Sequence, residues 1–493
     1  MGVIGGRGKD ALMTDVDVAT EIPSHNLPGV PYADLPQPTG LGKIVGPGVV
    51  LLAGSIGSGE YILWPFIASQ TGMTLVWLAV LGILTQYFLN TEIERYTLAT
   101  GETSVTGFTR LWKPWGALFI VFTLVPWAWP GWATGASTVT TYIFGWSDGA
   151  VVPLTIALLI LIGIVLTASP VVYKTVEKVQ MAFVLAIVVF IVIALFAAVT
   201  GDAIVAMAEG FVRIDRIPDG VSTVGFTSLL GALAFAGAGG TLNLTTSNWI
   251  RDKGLGMGAR IPRITSPFTG EEEAAVTTGY FFRRDEDNMR RWNRWWDISR
   301  QEQALTFLTI GGVSILLFML LTRATLGGVS DVGEGFEFIR SIGDQLGATV
   351  GSWLGTFYWA AGFAALFSTN LAVLDMVGRV TADILKVGVL RDNETWTENR
   401  VYFAVIWLEI AFGCGILLSG LDQPLVLVVI SSALNGGVMF IYSFLLIQLN
   451  RGTLPRALKM ENHRLGWMIW AVLFYGFFTL ITLWNEVPKL FGG

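Results

Sequence analysis

Long apolar runs separated by short polar segments dominate the chain from residue 44 onward. They occupy residues 44–69, 73–94, 115–145, 150–168, 176–199, 222–247, 304–326, 350–378, 401–420, 424–449 and 466–486, eleven in all. Each can cross a bilayer core of about 30 Å as a helix. The third is long for one crossing, which predicts a tilted helix or one ending in an interfacial turn. Residues 1–43 are polar and carry Pro23, Pro28, Pro31, Pro36 and Pro38. They lack the apolar core of a secretory signal and are expected to form a disordered tail.

Composition agrees with the pattern. Of 493 residues, 53% are hydrophobic and only 14% charged, against about 25% charged in soluble proteins. A soluble enzyme, a nucleic-acid binder and a disulfide scaffold are thereby disfavoured. Cys414 is the single cysteine, and the two histidines, His25 and His463, lie outside the apolar runs. No histidine site at membrane depth is expected. If the N-terminus is cytoplasmic, 26 of the 31 basic residues fall on that side, leaving Arg213, Arg216, Arg323, Arg340 and Lys489 opposite. This positive-inside bias predicts an integral membrane protein with its C-terminus outside, in a bacterial or archaeal plasma membrane.

Two runs are interrupted at their centres. Residues 54–59 read Gly54-Ser55-Ile56-Gly57-Ser58-Gly59, with Glu60 following. Residues 236–243 read Ala236-Gly237-Ala238-Gly239-Gly240-Thr241-Leu242-Asn243. Glycine weakens a helix by up to about 1 kcal/mol against alanine, and small residues also permit close helix packing. The two interruptions lie five spans apart. Five is odd, so a second repeat would enter from the opposite side. That is the inverted-repeat pattern of secondary transporters, whose sites lie at paired broken helices. The expected fold is an all-α membrane protein of the LeuT type, with helices 1 and 6 broken. Residues 44–200 form the first repeat and 201–450 the second. Helix 11 and the C-terminus fill 451–493.

Several segments resemble the Nramp (natural resistance-associated macrophage protein) family of metal-ion transporters. They are Gly46-Pro47-Gly48, Glu92-Ile93-Glu94-Arg95-Tyr96 through Glu102, Val176-Glu177-Lys178-Val179, Asn243-Leu244 and Ser431-Ser432-Ala433-Leu434-Asn435-Gly436. The resemblance spans residues 44–450 and implies the same fold. The family's metal-binding Asp-Pro-Gly-Asn reads Gly57-Ser58-Gly59-Glu60 here. Its sixth-helix Met-Pro-His becomes Gly240-Thr241-Leu242, and its tenth-helix Gln becomes Ser432. No acid lies between Trp115 and Gly145, where proton-coupled members carry one. The soft sulfur ligand is lost, so the resemblance implies a harder ion such as magnesium.

Glu60 sits near the centre of its span, where an unpaired carboxylate costs several kcal/mol. It is the expected charged ligand. Gly57, Ser58, Gly240, Thr241, Asn243 and Ser432 complete the substrate-site candidates, and Glu60, Ser58, Thr241 and Asn243 are the metal-ligand candidates, since hard ions prefer oxygen. Asp375 and Arg379, four residues apart, are gating candidates or an interfacial stripe with Asp383 and Lys386. Glu409 lies in the ninth span with no charged neighbour in sequence. Trp127, Trp129 and Trp132 keep a small organic amine open as substrate. The stretch 248–303 reads as a cytoplasmic amphipathic loop, its Arg290–Trp296 segment lying on the lipid surface. A transporting role is expected to involve the bilayer and a small cation, with no nucleic acid and no cofactor. A non-transporting sensor is the other alternative. No phosphate-loop, zinc-protease or nucleophile-elbow pattern suggests an enzyme.

Overall fold

The computed structural model describes residues 17–40, 46–169, 171–213, 215, 217–264, 278–327, 335–391 and 393–490. In chain order the helices are α1 (Pro47–Ser55), a π-helical turn (Gly59–Leu63), α2 (Trp64–Thr71), α3 (Val76–Thr100), α4 (Ser104–Leu111), α5 (Pro114–Trp127), α6 (Gly131–Phe144), α7 (Val151–Ala168), α8 (Val172–Ala198), α9 (Gly201–Val212), α10 (Ile217–Val224), α11 (Phe226–Ala234), α12 (Gly240–Lys253), α13 (Glu286–Gln303), a π-helical segment (Ala304–Gly311), α14 (Gly312–Leu326), α15 (Glu337–Thr349), α16 (Ser352–Val387), α17 (Glu398–Leu418), α18 (Pro424–Gly452) and α19 (Asn462–Leu490). No sheet forms among the described residues; isolated bridges join Val18 to Pro31 and Tyr32 to Phe281.

Among the described residues, ten helical stretches are long and apolar enough to cross a membrane. The sixth expected span is missing from that set because it is cut into α11 and α12, each too short alone. The first remains continuous only by way of its π-helical turn. Polarity is arranged as a bilayer demands. Leu185, Phe196, Leu408 and Trp484 face outward, while Gln86, Asn243, Asp375 and Arg379 are fully buried. The long α16 lies at the centre, packed against α1, α6, α8 and α17.

Three expectations change. The third span is neither a single tilted helix nor one closed by an interfacial turn. It divides into α5 and α6 around Ala128, Trp129 and Pro130. Pro130 has no N–H to continue the ladder, and its carbonyl accepts from Thr134 at the start of α6.

The Arg-Trp segment does not lie apart on a lipid surface. It forms α13 and continues through the second π-helical segment into α14, giving one stretch from Glu286 to Leu326. Asp285 caps its start by accepting from the Asn288 N–H at 2.9 Å. That N–H holds the exposed Asp285 carboxyl below its ordinary range. Trp292, Trp295 and Trp296 are buried, and the Arg95 guanidinium stacks 4.0 Å from the Trp296 ring centre.

Residues 17–40 are not a disordered tail. Ala19, Ile22, Leu27, Val30 and Leu35 are buried, and the segment straps one end of the bundle. Arg110 donates to the carbonyls of Pro23 and Pro28, each at 2.8 Å, while its other donors pair with Glu102. Arg291 donates to the Leu35 carbonyl at 2.7 Å, and Trp295 to that of Pro36 at 2.9 Å. Residues 1–16 and 41–43 of the expected tail lie outside the described residues. Arg110→Lys keeps a charge beside Glu102 but loses the planar fork that reaches both prolines. Limited proteolysis should cut within residues 17–40 about tenfold faster in this variant, the effect of losing roughly 1.5 kcal/mol of charge-assisted hydrogen bonding. Equal cleavage would show that the strap is held elsewhere.

Candidate functional site

Both glycine-rich interruptions break their helices. After α1 the Ser58 N–H turns back to the Ser55 carbonyl at 2.8 Å, and the chain widens into π-type bonds, Tyr61 to Ile56 and Leu63 to Ser58, each at 3.0 Å. Gly59 is needed there, since a Cβ would lie 1.5 Å from the Phe235 carbonyl oxygen at the end of α11. The gap between α11 and α12 turns on Gly237, Gly239 and Gly240, all with positive φ. Most side chains avoid those angles.

Glu60 is fully buried. One carboxylate oxygen accepts from the Ser55 hydroxyl at 2.9 Å; the other has no hydrogen-bond partner among the described residues. A Cβ on Gly311 would lie 3.8 Å from the first oxygen, so the carboxylate faces the π-helical segment before α14. Ser58 accepts from the Trp132 indole at 2.7 Å. The Gly57 N–H donates to Thr369 of α16 at 3.0 Å.

The other break is braced by Gln86 of α3, which the sequence reading had not singled out. Its amide donates to the Ala234 carbonyl at 2.7 Å, and its oxygen accepts from the Gly239 N–H and the Asn243 amide, both at 3.2 Å. Gln86 thus holds the end of α11 and the start of α12 together. Asn243 also donates to the Tyr442 hydroxyl at 2.9 Å. With its amide nitrogen so held, its Oδ1 is left buried and without a partner among the described residues.

Thr241 is turned the other way, its hydroxyl donating to the Met376 sulfur at 3.6 Å. That contact occupies a thioether that lies beside α12. Ser432 is not at the break. Its hydroxyl donates to the Val429 carbonyl and lies where a Cβ on Gly231 would fall, inside α11. Asn435, one turn further along α18, takes that place: its Oδ1 would lie 1.7 Å from a Cβ on Gly240 and has no hydrogen-bond partner among the described residues. Its nitrogen donates to the Ser431 carbonyl at 3.0 Å. Asn435 lies in the tenth-helix segment Ser431-Ser432-Ala433-Leu434-Asn435-Gly436, and its three-residue spacing from Ser432 is its signal in the sequence.

No hydrogen bond among the described residues joins Glu60 to Ser58, Thr241 or Asn243, and no cluster of three His, Cys, Asp or Glu side chains suited to a metal occurs among them. The charge and the amide oxygens therefore sit on separate helices around the two breaks. Gly240→Ala should push Asn435 aside and strain a residue with φ of +49°, a cost of about 1–3 kcal/mol. Its melting temperature should fall by several degrees, whereas Gly201→Ala, where a Cβ meets nothing within 4 Å, serves as the unchanged control.

Asp375 and Arg379 form the centre of a buried network. Asp375 accepts from Arg379 at 2.7 Å, from the Tyr402 hydroxyl at 2.7 Å and from the Trp249 indole at 3.1 Å. Arg379 also pairs with Asp252. Arg251 joins Asp383 at 2.6 Å and Glu398, and Lys253 pairs with Glu177. The end of α12 is thereby tied to α8, α16 and α17. Lys386 is not part of this network; it donates to the Leu390 and Asn393 carbonyls. Glu302 clamps the other half-helix, accepting from the N–H groups of Gly46 and Gly48 at 3.2 and 3.0 Å.

Trp127 and Trp132 stack on each other, with ring centres 5.2 Å apart, and Trp127 stacks on Phe235 at 5.5 Å. Their faces are filled by one another. Trp129 is placed apart from them, by a cavity beside α17.

Two broken crossings five spans apart, closed around buried polar groups, define an integral membrane protein of the LeuT type: ten core helices in two inverted repeats and an eleventh. Solved structures have this architecture. A mutant of the manganese transporter of Eremococcus coleocola matches with a TM-score of 0.65 and 13% identity, over 93% of this chain and 90% of that one. A second mutant gives 0.64 and 13%, over 92% and 88%. The same transporter in complex with an aromatic bis-isothiourea substituted compound gives 0.63 and 13%, over 92% and 90%. The likeness fits the distant Nramp resemblance of the sequence, and at this identity it establishes the fold. No family model and no curated protein matches the chain.

Proposed function

We propose that the protein is a secondary-active transporter that moves a metal cation by alternating access, with a hard divalent ion such as magnesium as its substrate. The observation that carries this reading is the coincidence of two mid-membrane breaks with buried oxygens that lack partners: Glu60 beside one, Asn243 and Asn435 at the other. Glu60 would supply the charge and the amide oxygens neutral donors. All are hard donors, suited to magnesium, calcium or manganese. Met376, the thioether beside α12, is engaged by Thr241. The shared fold with manganese transporters supports a metal cargo. The filled aromatic stack gives no support to an amine.

Alternating access requires half-helices that can move. The Glu302 clamp on α1 and the Arg379 network on α12 would hold one face closed. That face carries the N-terminal strap, and the distribution of basic residues supports a cytoplasmic placement for it. Transport, rather than catalysis or sensing, is the activity assigned. Proteoliposomes loaded with a magnesium-sensitive dye test it. Magnesium, and manganese as a second hard ion, should accumulate against protein-free controls. Accumulation of amines without any divalent flux would overturn the reading.

A further inference from the structure

One buried carboxylate lies outside the two breaks and takes no part in the proposed metal site. Glu409 lies midway along α17, a membrane crossing of 21 residues. Its Oε2 is sealed from solvent and has no hydrogen-bond partner among the described residues. It lines a cavity of about 350 Å³ between α17 and the broken third span. Leu124, Val125 and Ala128 form one wall, Leu408 and Phe412 the other, and Trp129 sits at the break. The Trp129 indole is already engaged, donating to the Val125 carbonyl at 3.0 Å. Among the described residues, no lysine, arginine or histidine lines the cavity. Val125, Leu408 and Phe412 are each more than half exposed, so the cavity opens toward the lipid.

We propose that this cavity is a binding site for a lipophilic ammonium ion entering from the bilayer. An unpaired carboxylate at this depth is strongly disfavoured, and it selects a cation as its partner. The remaining walls are apolar and select a hydrocarbon body. The depth argues against a phospholipid headgroup, which stays at the interface. A second copy docking through this same face supplies no cation, because α5 contains no basic residue and the basic residue of α17, Arg400, lies at its start. The position also gives the site a connection to the centre. The break at Ala128–Pro130 leads directly to Trp132, whose indole holds Ser58 at 2.7 Å. An occupant wedged at the break bears on the same segment that orients the first helix.

The test uses the full-length protein in phosphatidylcholine nanodiscs. The probes are a nitroxide-labelled long-chain trimethylammonium and the neutral alcohol of the same chain, followed by electron paramagnetic resonance. The ammonium should show a saturable immobilised fraction that the alcohol lacks. Glu409→Gln should weaken that binding by about tenfold or more, the effect of removing one member of a desolvated charge pair. Ala128→Phe fills the cavity and keeps the acid, and should abolish immobilisation as well, so the proposal does not depend on one variant folding. Glu409→Gln should leave the liposome flux without ammonium unchanged. Equal immobilisation in Glu409→Gln, or equal immobilisation of the alcohol, would mean an apolar crevice only and would overturn the proposal. So would efficient disulfide cross-linking of Leu408→Cys between copies with no immobilised ammonium, which would show the face covered by a second chain.

Discussion

Glu60→Gln should lower divalent-cation uptake in proteoliposomes by about a hundredfold, a loss of about 3 kcal/mol, within the range for removing one partner of a desolvated charge contact. The substitution is close to isosteric. The amide retains an oxygen that can accept from Ser55, which donates to Glu60 at 2.9 Å, so the break in the first helix should persist. Stability should hold or rise, because a neutral group replaces a buried carboxylate with an unpartnered oxygen. Loss of uptake with an unchanged melting temperature therefore identifies a ligand. Loss of both would instead make Glu60 a structural brace for Ser55 and the π-helical turn.

The second large effect concerns the buried network on α16. Arg379→Leu leaves Asp375 and Asp252 without their shared cation, and both are fully or almost fully buried. Breaking a buried pair from one side costs about 3–5 kcal/mol. The variant should melt several degrees lower, or unfold in detergent that the wild type tolerates. Replacing all three charges together with apolar residues of similar volume should restore much of that stability. If the network also closes one face, a cysteine placed at Ser247 on α12 should react faster with a water-soluble maleimide in the triple variant. A triple variant that is stable and equally protected would leave the network a structural one.

Much of the architecture was legible along the chain. Eleven crossings follow from apolar length, and the two breaks from clusters of glycine and serine. A bilayer leaves a helix few alternatives, so local sequence nearly determines local structure. The division of the third span was harder to see. Pro126 and Pro130 mark it, but Pro126 lies inside α5, and proline is tolerated within membrane helices. The α13 helix was misread because Arg and Trp interleave in the same way on a lipid surface and against protein. Only the tertiary contact of Arg95 with Trp296 separates the two. The strap was misread because its five prolines suit an extended chain docked by its carbonyls as well as a disordered one.

The site was legible only in part. Glu60, Asn243 and the Asp375–Arg379 pair could be named because charge or amide groups are rare at that depth. Which atoms they face is set between helices distant in sequence. Gln86 is 157 residues from Asn243, and nothing local marks it. Ser432 and Asn435 lie on one helical face, so register alone decided between them. Asn435 is the one whose oxygen meets Gly240.

The most direct test is a structure of the wild-type protein with manganese bound, using anomalous scattering to locate the ion. A single strong peak is expected between the two breaks, about 2.0–2.6 Å from a Glu60 carboxylate oxygen, with an amide oxygen of Asn243 or Asn435 in the same shell. No peak near Glu60, or a peak held by the Met376 sulfur, would contradict it.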